Sequence, residues 1–326
     1  MATASLDFEK PLVELERRID ELRQMADERE LDVQQELAPL ERKLADLRSE
    51  IYRNLTPLQR VQVARSARRP FTQDYVDRCF TDWIELHGDR QFRDDGAIVA
   101  GWARLDGESV MIIGQQRGRD TKENLRRNFG MPHPEGYRKA LRLLDHAETF
   151  GFPVVTLVDT PGAHPGPEAE ERGQSHAIAE TIMRSSRLRV PVVSVVTGEG
   201  GSGGALALCT SDRLLVLQNA YLSVISPEGC AAILWRTAVA APTAARAMRL
   251  GAAHLRTSGI ATSVVPEPPG GAHTDPAAAA RLLRQALLRE LDDVCRLDVA
   301  TLLDTRSRRL ERIGSDDGRA LQPVEA

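Results

Sequence analysis

The chain has 326 residues and a mass of 35.9 kDa, with 42% hydrophobic and 28% charged residues and a net charge of −4. At about 150 residues per domain this predicts two domains, or one large domain with an appendage, and enough apolar material for a sizeable core. The acidic balance argues against a protein held to nucleic acid by bulk electrostatics, and no apolar run approaches the ~18 residues of a membrane span.

The opening stretch, Met1 to Lys10, has neither a basic n-region nor an apolar h-region, so it does not read as a signal peptide and a cytoplasmic location is expected. Leu12, Leu15, Ile19 and Leu22 then recur at helical spacing, as do Leu37, Leu40, Leu44, Leu47 and Ile51. The polar stretch from Asp27 to Gln35 could turn these two stripes into a hairpin. A coiled-coil seam and an ordinary amphipathic pair are both open readings. In either case, so narrow a stripe should dock on the main body or on another chain.

Charge changes sign after this arm. Residues 1–52 carry 14 acids and 8 bases, whereas residues 53–70 hold Arg53, Arg60, Arg65, Arg68 and Arg69 and no acid. A second basic stretch spans 115–142, with eight bases against Asp120, Glu123 and Glu135. It could meet a phosphate-bearing small molecule or an acidic partner, or be a solvated face. No aromatic residues interleave for base stacking, which again speaks against nucleic acid.

From about residue 95 the pattern alternates strands with helices. Ala97 to Leu105, the Asp106-Gly107 turn and Val110 to Ile113 predict a hairpin. A helix is expected over 137–149, and Phe152 to Val158 and Val190 to Val196 read as strands buried on both faces. The β-α-β spacing between them implies a parallel or mixed sheet. A glycine-rich turn follows, with a helix expected to begin at Ala205 and strands at 214–217 and 222–225. Ser226-Pro227-Glu228 has the grammar of a helix start. Helices near 243–258, a short strand at Val264-Val265 and a helix over 277–297 complete the body, with fraying expected beyond Arg312.

Two segments at the carboxyl ends of buried strands are candidate sites. In Gly198-Glu199-Gly200-Gly201-Ser202-Gly203-Gly204, five of seven residues are glycine, which should allow positive φ and close approach of a ligand to the backbone. The N–H groups around Gly203 and Gly204 would lie at a helix N-terminus, the construction of an oxyanion hole. A phosphate cradle is disfavoured because the Walker lysine is absent. A nucleophile elbow remains a rival, since Gly200-Gly201-Ser202-Gly203-Gly204 fits G-x-S-x-G, with His254 and His273 downstream. The second segment, Asp159 to Gln174, holds His164, Glu170 and Glu171 as possible acid/base groups. His87, His133, His146 and His176 have no ligand-like spacing, and Cys79, Cys209, Cys230 and Cys295 lie far apart, so no metal site is expected and the cysteines read as buried small hydrophobes.

At these segments the chain closely resembles the alpha subunits of bacterial acetyl-coenzyme A carboxylase carboxyltransferase. The matching segments include Arg69-Pro70-Phe71-Thr72, Gly118 to Asn124, Arg127 to Pro132, Pro134 to Leu141, Asp159 to Ala163, Ala169 to Ser175, Gly198 to Ala205 and Ser223 to Trp235, and the likeness runs from about Phe8 to Gly314. The resemblance implies an α/β, crotonase-like (ClpP/crotonase) spiral of ββα units over residues 57–314. An N-terminal helical arm (residues 1–56) would precede it and a flexible tail (residues 315–326) would follow.

The resemblance also implies the reaction: transfer of a carboxyl group from carboxybiotin to acetyl-CoA, giving malonyl-CoA for fatty-acid synthesis. The implied partners are a beta subunit with a zinc ribbon in an α2β2 assembly, the separate biotin carboxyl carrier protein and biotin carboxylase. Gly203 and Gly204 would form the oxyanion hole for the biotin ureido oxygen. Gly200, Gly201, Ser202 and Arg119 are expected to contact substrate, and no metal is expected in this chain. The rivals are a serine hydrolase or thioesterase using Ser202, and a coiled-coil scaffold built on residues 10–52.

The sequence departs from the family pattern at several points. His-Gln-Lys-Gly becomes Gln115-Gln116-Arg117-Gly118, a Tyr becomes His164, a Gly becomes Glu168, a Glu becomes His176, and a small Gly-rich run becomes Cys209-Thr210-Ser211. These changes bear on loop shape and subunit contacts more than on the reaction.

Overall fold

A computed structural model describes residues 6–29 and 33–314. The arm is α1 (Lys10–Arg29) and α2 (Gln34–Arg53), antiparallel to one another and cross-linked by Arg23–Glu41 and Arg48–Glu16 ion pairs. Leu12, Ile19, Ala26 and Leu37 are buried, so the two stripes largely cover each other. The root of the arm docks on the body. There Tyr52 Oη donates to Glu9, and the buried His273 lies 3.1 Å from Glu9 Oε1 and 3.3 Å from Tyr52 Oη.

A capping box at Thr56, reciprocated by Gln59, opens α3 (Pro57–Ala64), and α4 (Thr72–Cys79) follows. The sheet then builds in chain order. β1 (Thr81–Glu85), β2 (Ile98–Leu105) and β3 (Glu108–Gln115) are antiparallel neighbours. Asp106 and Gly107 take positive φ, as the tight turn between β2 and β3 requires. After α5 (Thr121–Arg126) and α6 (Pro134–Phe150) come β4 (Val154–Thr160), α7 (Pro167–Glu171), α8 (Gln174–Arg187), β5 (Val192–Gly201) and α9 (Ser202–Cys209). The remaining elements are β6 (Arg213–Leu217), β7 (Tyr221–Ser223), α10 (Pro227–Trp235), α11 (Ala241–Met248), α12 (Ala252–Thr257), β8 (Ser263–Val265), α13 (Pro276–Cys295) and α14 (Val299–Glu311).

The strand order is β1-β2-β3-β4-β5-β6-β8, parallel from β3 onward, and β7 lies beside the far end of β5 beyond β6. Every residue of β4 and β5 is buried, which explains their largely apolar reading. Helices α6, α8 and α9 pack side by side, α6 on β2 and β3 and α9 on β4 and β5, while α4 and α13 pack on each other and reach β4 and β5. Ser226 Oγ accepts the Gly229 N–H at 3.0 Å and so caps α10 as its sequence predicts.

Three expectations are revised. β1, α3, α4 and α14 are additional elements, and α14 is anchored by Arg306, buried and paired with Asp212 while donating to three carbonyls. Cys79 and Cys209 are buried as expected, with thiols that burial pushes up to about 12, but Cys230 is half-buried and Cys295 is exposed. The basic stretch 115–142 is only in part a surface patch: Arg119, Lys122 and Arg126 are exposed, but Arg117 pairs with Glu199, Arg138 with Asp89 and the buried Lys139 with Asp94. The expected tail, residues 315–326, lies outside the described residues, as does part of the turn between the arm helices. Among the described residues no helix is long and apolar enough to cross a membrane.

Candidate active site

The glycine-rich segment is mostly strand rather than turn. β5 continues through Gly198-Glu199-Gly200-Gly201, and α9 begins at Ser202 instead of Ala205. None of the five glycines has a positive φ; the residue that does is Ser202, at +54°. The expectation that glycine serves backbone turning here is therefore overturned. Its use is close approach of other protein segments. Gly200 pairs with Thr160 on one side and Leu222 on the other, and a Cβ there would come within 3.0 Å of Leu222 and the Tyr221 carbonyl. A Cβ on Gly201 would strike the Pro161 carbonyl, and one on Gly204 would strike the backbone at Gly162 and Ala163 and the Tyr137 hydroxyl.

This packing places Gly203 and Gly204 in the first turn of α9, directly after Gly201 and Ser202. The first N–H groups of a helix have no carbonyl in their own helix to bond and carry the positive end of its dipole. Among the described residues, no loop carbonyl takes the Gly203 or the Gly204 N–H. Ser202 is exposed, Gly203 partly exposed and Gly204 buried beneath them. A Cβ on Gly203 would meet nothing nearer than Ile178 at 3.9 Å, so the space beside that residue is open.

Under the turn lies a buried polar scaffold. Gln115, at the end of β3, donates to the Gly204 carbonyl at 2.8 Å and accepts the Asp159 N–H at 3.1 Å. Asp159 accepts the Glu199 N–H at 2.9 Å. The Glu199 carboxylate is held by Arg65 Nε at 2.9 Å, by Arg117 at 2.6 Å and by the Tyr221 hydroxyl. Burial alone would raise Glu199, but the Arg117 and Arg65 charges prevail and hold it below the ordinary glutamate range. For Asp159 burial wins over Arg117, and its carboxyl is pushed up. Beside them Arg69 makes a buried bidentate pair with Glu267 at 2.8 Å and donates to the Thr197 carbonyl. Breaking one partner of a buried ion pair typically costs about 3–5 kcal/mol. The backbone beneath the two glycines is thus firmly held.

The structure brings Gly200, Gly201, Ser202, Gly203 and Gly204 together and leaves Arg119 apart. Arg119 is bound to the Ala67 carbonyl and Asp74 and lies 4.7 Å from the Phe71 ring centroid. Ser202 has the positive φ of a nucleophile elbow, yet the histidines that would serve it are elsewhere. His273 is engaged with Glu9 and Tyr52, and His254 sits on α12. Glu170 and Glu171 are exposed at the end of α7. Gln115, Arg65, Arg117, Glu199 and Asp159 were not singled out as site residues from the sequence. The bonds that join these five to one another span 40 to 134 residues, so no local spacing could have revealed them.

A family model described as acetyl co-enzyme A carboxylase carboxyltransferase-like matches residues 5–314. An acetyl-coenzyme A carboxylase carboxyl transferase subunit alpha of Thermus thermophilus is 57% identical over 310 residues, covering 95% of this chain and 98% of the relative. That of Gemmatimonas aurantiaca is 57% identical over 316 residues, covering 96% and 98%. Two solved structures share the fold: transcarboxylase 12S (TM-score 0.55, 22% identity, 68% of this chain) and the beta subunit of Pseudomonas aeruginosa geranyl-CoA carboxylase (TM-score 0.55, 17% identity, 78%). This chain spans 41% and 46% of their lengths, and the shared architecture is the crotonase-like one expected from the sequence.

Proposed function

The chain belongs to the family of acetyl-coenzyme A carboxylase carboxyl transferase alpha subunits, and from that membership we propose that Gly203 and Gly204 are its oxyanion hole. Carboxybiotin, borne on a separate carrier protein, would supply the carboxyl group that reaches acetyl-CoA. The two amides would donate to the ureido oxygen of that group, where negative charge accumulates in the transition state. Donors fixed in advance need no reorganisation, and each is typically worth about 2.7–4 kcal/mol of barrier. The observation that carries this reading is that both glycines sit in the first turn of α9, with open space beside Gly203.

No side-chain nucleophile is needed for such a transfer, which leaves Ser202 as a spectator. Of the basic stretch, Arg119, Lys122 and Arg126 keep their side chains at the surface, and we assign Arg119 to a phosphate of coenzyme A.

Gly203 opens onto surface rather than a closed cleft, so a second chain has to complete the walls. Immediately downstream, Val224, Ile233, Leu234 and Val239 are 82%, 70%, 65% and 86% exposed. So much apolar surface in one region favours an interface. We assign it to the beta-type partner, and the cytoplasm as the place of assembly. The test is co-expression with that subunit, followed by co-purification and a malonyl-CoA/biotin exchange assay. An active complex that Ile233→Asp disrupts is expected. A chain that is inactive with the partner bound, or that binds it regardless of Ile233→Asp, contradicts the reading.

A further inference from the structure

We propose that His133, His164 and Glu168 form a binding site for a divalent transition-metal ion of the zinc class beside the glycine turn. His133 precedes α6, His164 lies in the loop after β4, and Glu168 is the second residue of α7. The imidazoles stack with centroids 4.2 Å apart and planes 19° apart. Glu168 Oε1 is 3.4 Å from His164 Nδ1 and 4.0 Å from His133 Nε2, and one ligand atom from each residue falls within 4.8 Å of the others.

Two imidazole nitrogens and a carboxylate are the donor set of zinc-like ions, whereas magnesium and calcium take oxygen ligands. Bonds of about 2.0–2.1 Å in a tetrahedral site put neighbouring ligands roughly 3.3 Å apart. To ligate, the His164 ring must turn out of its stack on His133 and its Nδ1 must give up the Gly166 N–H it accepts at 3.1 Å, while Glu168, half exposed, can swing to meet the ion.

The backbone under the two histidines is already locked. The His164 N–H donates to the Pro132 carbonyl at 3.0 Å, and Gln174 Nε2 donates to the carbonyls of both Pro132 and His164. The His133 N–H is held by Asp95 at 2.7 Å. Gly166 leaves the room: a Cβ there would strike the His164 ring and both Glu168 oxygens. Three protein ligands leave a fourth position for water, and an occupied site would tie the loop after β4 to the start of α6. The proposal does not rest on the carboxyl-transfer reading.

The test uses the full chain stripped with chelator, titrated with Zn2+ by calorimetry and with Co2+ by absorption spectroscopy. One equivalent should bind the native chain. Co2+ should show d–d bands without the thiolate charge-transfer band that the exposed Cys295 would produce. His164→Tyr with Glu168→Gly should weaken binding by about tenfold or more. Glu168→Gly alone should also weaken binding, with Tm lowered by no more than the roughly 1 kcal/mol that a glycine costs in a helix. No stoichiometric binding to the native chain, or equal binding by both variants, overturns the proposal.

Discussion

The side-chain amide of Gln115 reaches from the end of β3 to the carbonyl oxygen of Gly204, 2.8 Å away, and its other atom accepts the Asp159 N–H. One side chain thereby fixes both the second glycine of the proposed oxyanion hole and the strand end that shelters it. Gln115→Leu removes both bonds and leaves a buried amide at Asp159 unpaired, at a cost of about 1–3 kcal/mol. Denaturant unfolding should register that loss, and the assembled enzyme should lose kcat more than it gains in KM. An unchanged kcat would mean that Gly204 is positioned without it.

The two glycines should respond differently to a methyl group. Gly203→Ala fits sterically, with nothing nearer than 3.9 Å, and alanine is the better helix former by about 1 kcal/mol. Stability should hold or rise, while exchange activity falls because the methyl enters the open space beside that residue. Gly204→Ala must displace backbone at Gly162 and Ala163, so both stability and activity should fall. Full activity in Gly203→Ala would place the reaction elsewhere.

Ser202 should be dispensable. Ser202→Gly relieves a positive φ that costs a non-glycine residue about 1 kcal/mol, so unfolding should shift to higher denaturant. Ser202→Ala should retain most exchange activity. Abolition of activity by both substitutions would revive a nucleophilic serine.

Arg119→Ala loses its contacts to the Ala67 carbonyl, Asp74 and the Phe71 ring at a half-exposed position, so stability should move by about 1 kcal/mol at most. If Arg119 meets a coenzyme A phosphate, KM for acetyl-CoA should rise several-fold, roughly the loss of one charge-assisted hydrogen bond. Equal KM values in variant and native complexes would remove that role.

Acid should loosen the root of the arm and the core beneath the site together. Burial would raise both Glu9 and Glu267. For Glu9, hydrogen bonds from His273 and Tyr52 prevail, and for Glu267 the Arg69 pair prevails, leaving each at about 2 against an ordinary 4.5. A depressed carboxyl pKa contributes stability that is whole above pH 4.5 and is lost as pH falls toward 2. Each group is worth about 3 kcal/mol. Urea midpoints should therefore fall steeply below pH 4.5, and less steeply in Glu9→Gln. A flat profile from pH 4.5 to 3 would show that neither pairing matters in solution.

Much of the architecture was open to reading because its signals are local. Val154 to Val158 and Val192 to Val196 are valine-rich runs broken by a single hydroxyl residue each, Asp106-Gly107 is a turn pair, and Ser226-Pro227 is a cap, so each declares its conformation within a few residues. The arm was legible for the same reason, its leucines recurring at helical spacing. The candidate site was legible in part, as a glycine-rich segment following a buried strand and resembling a known family.

The chain by itself determined the alternation of strands and helices through the central sheet and the location of the glycine pair, since both follow from short-range pattern. Tertiary structure alone decided that Gly198 to Gly201 form strand, that Ser202 rather than a glycine bears the positive φ, and that Arg117, Arg138 and Lys139 are spent on internal partners. It also decided that His133 meets His164 and Glu168. The reason is physical: a glycine needed for close approach looks the same in sequence as one needed for a turn. An arginine facing solvent likewise looks the same as one facing a carboxylate 82 residues away, and only packing tells them apart.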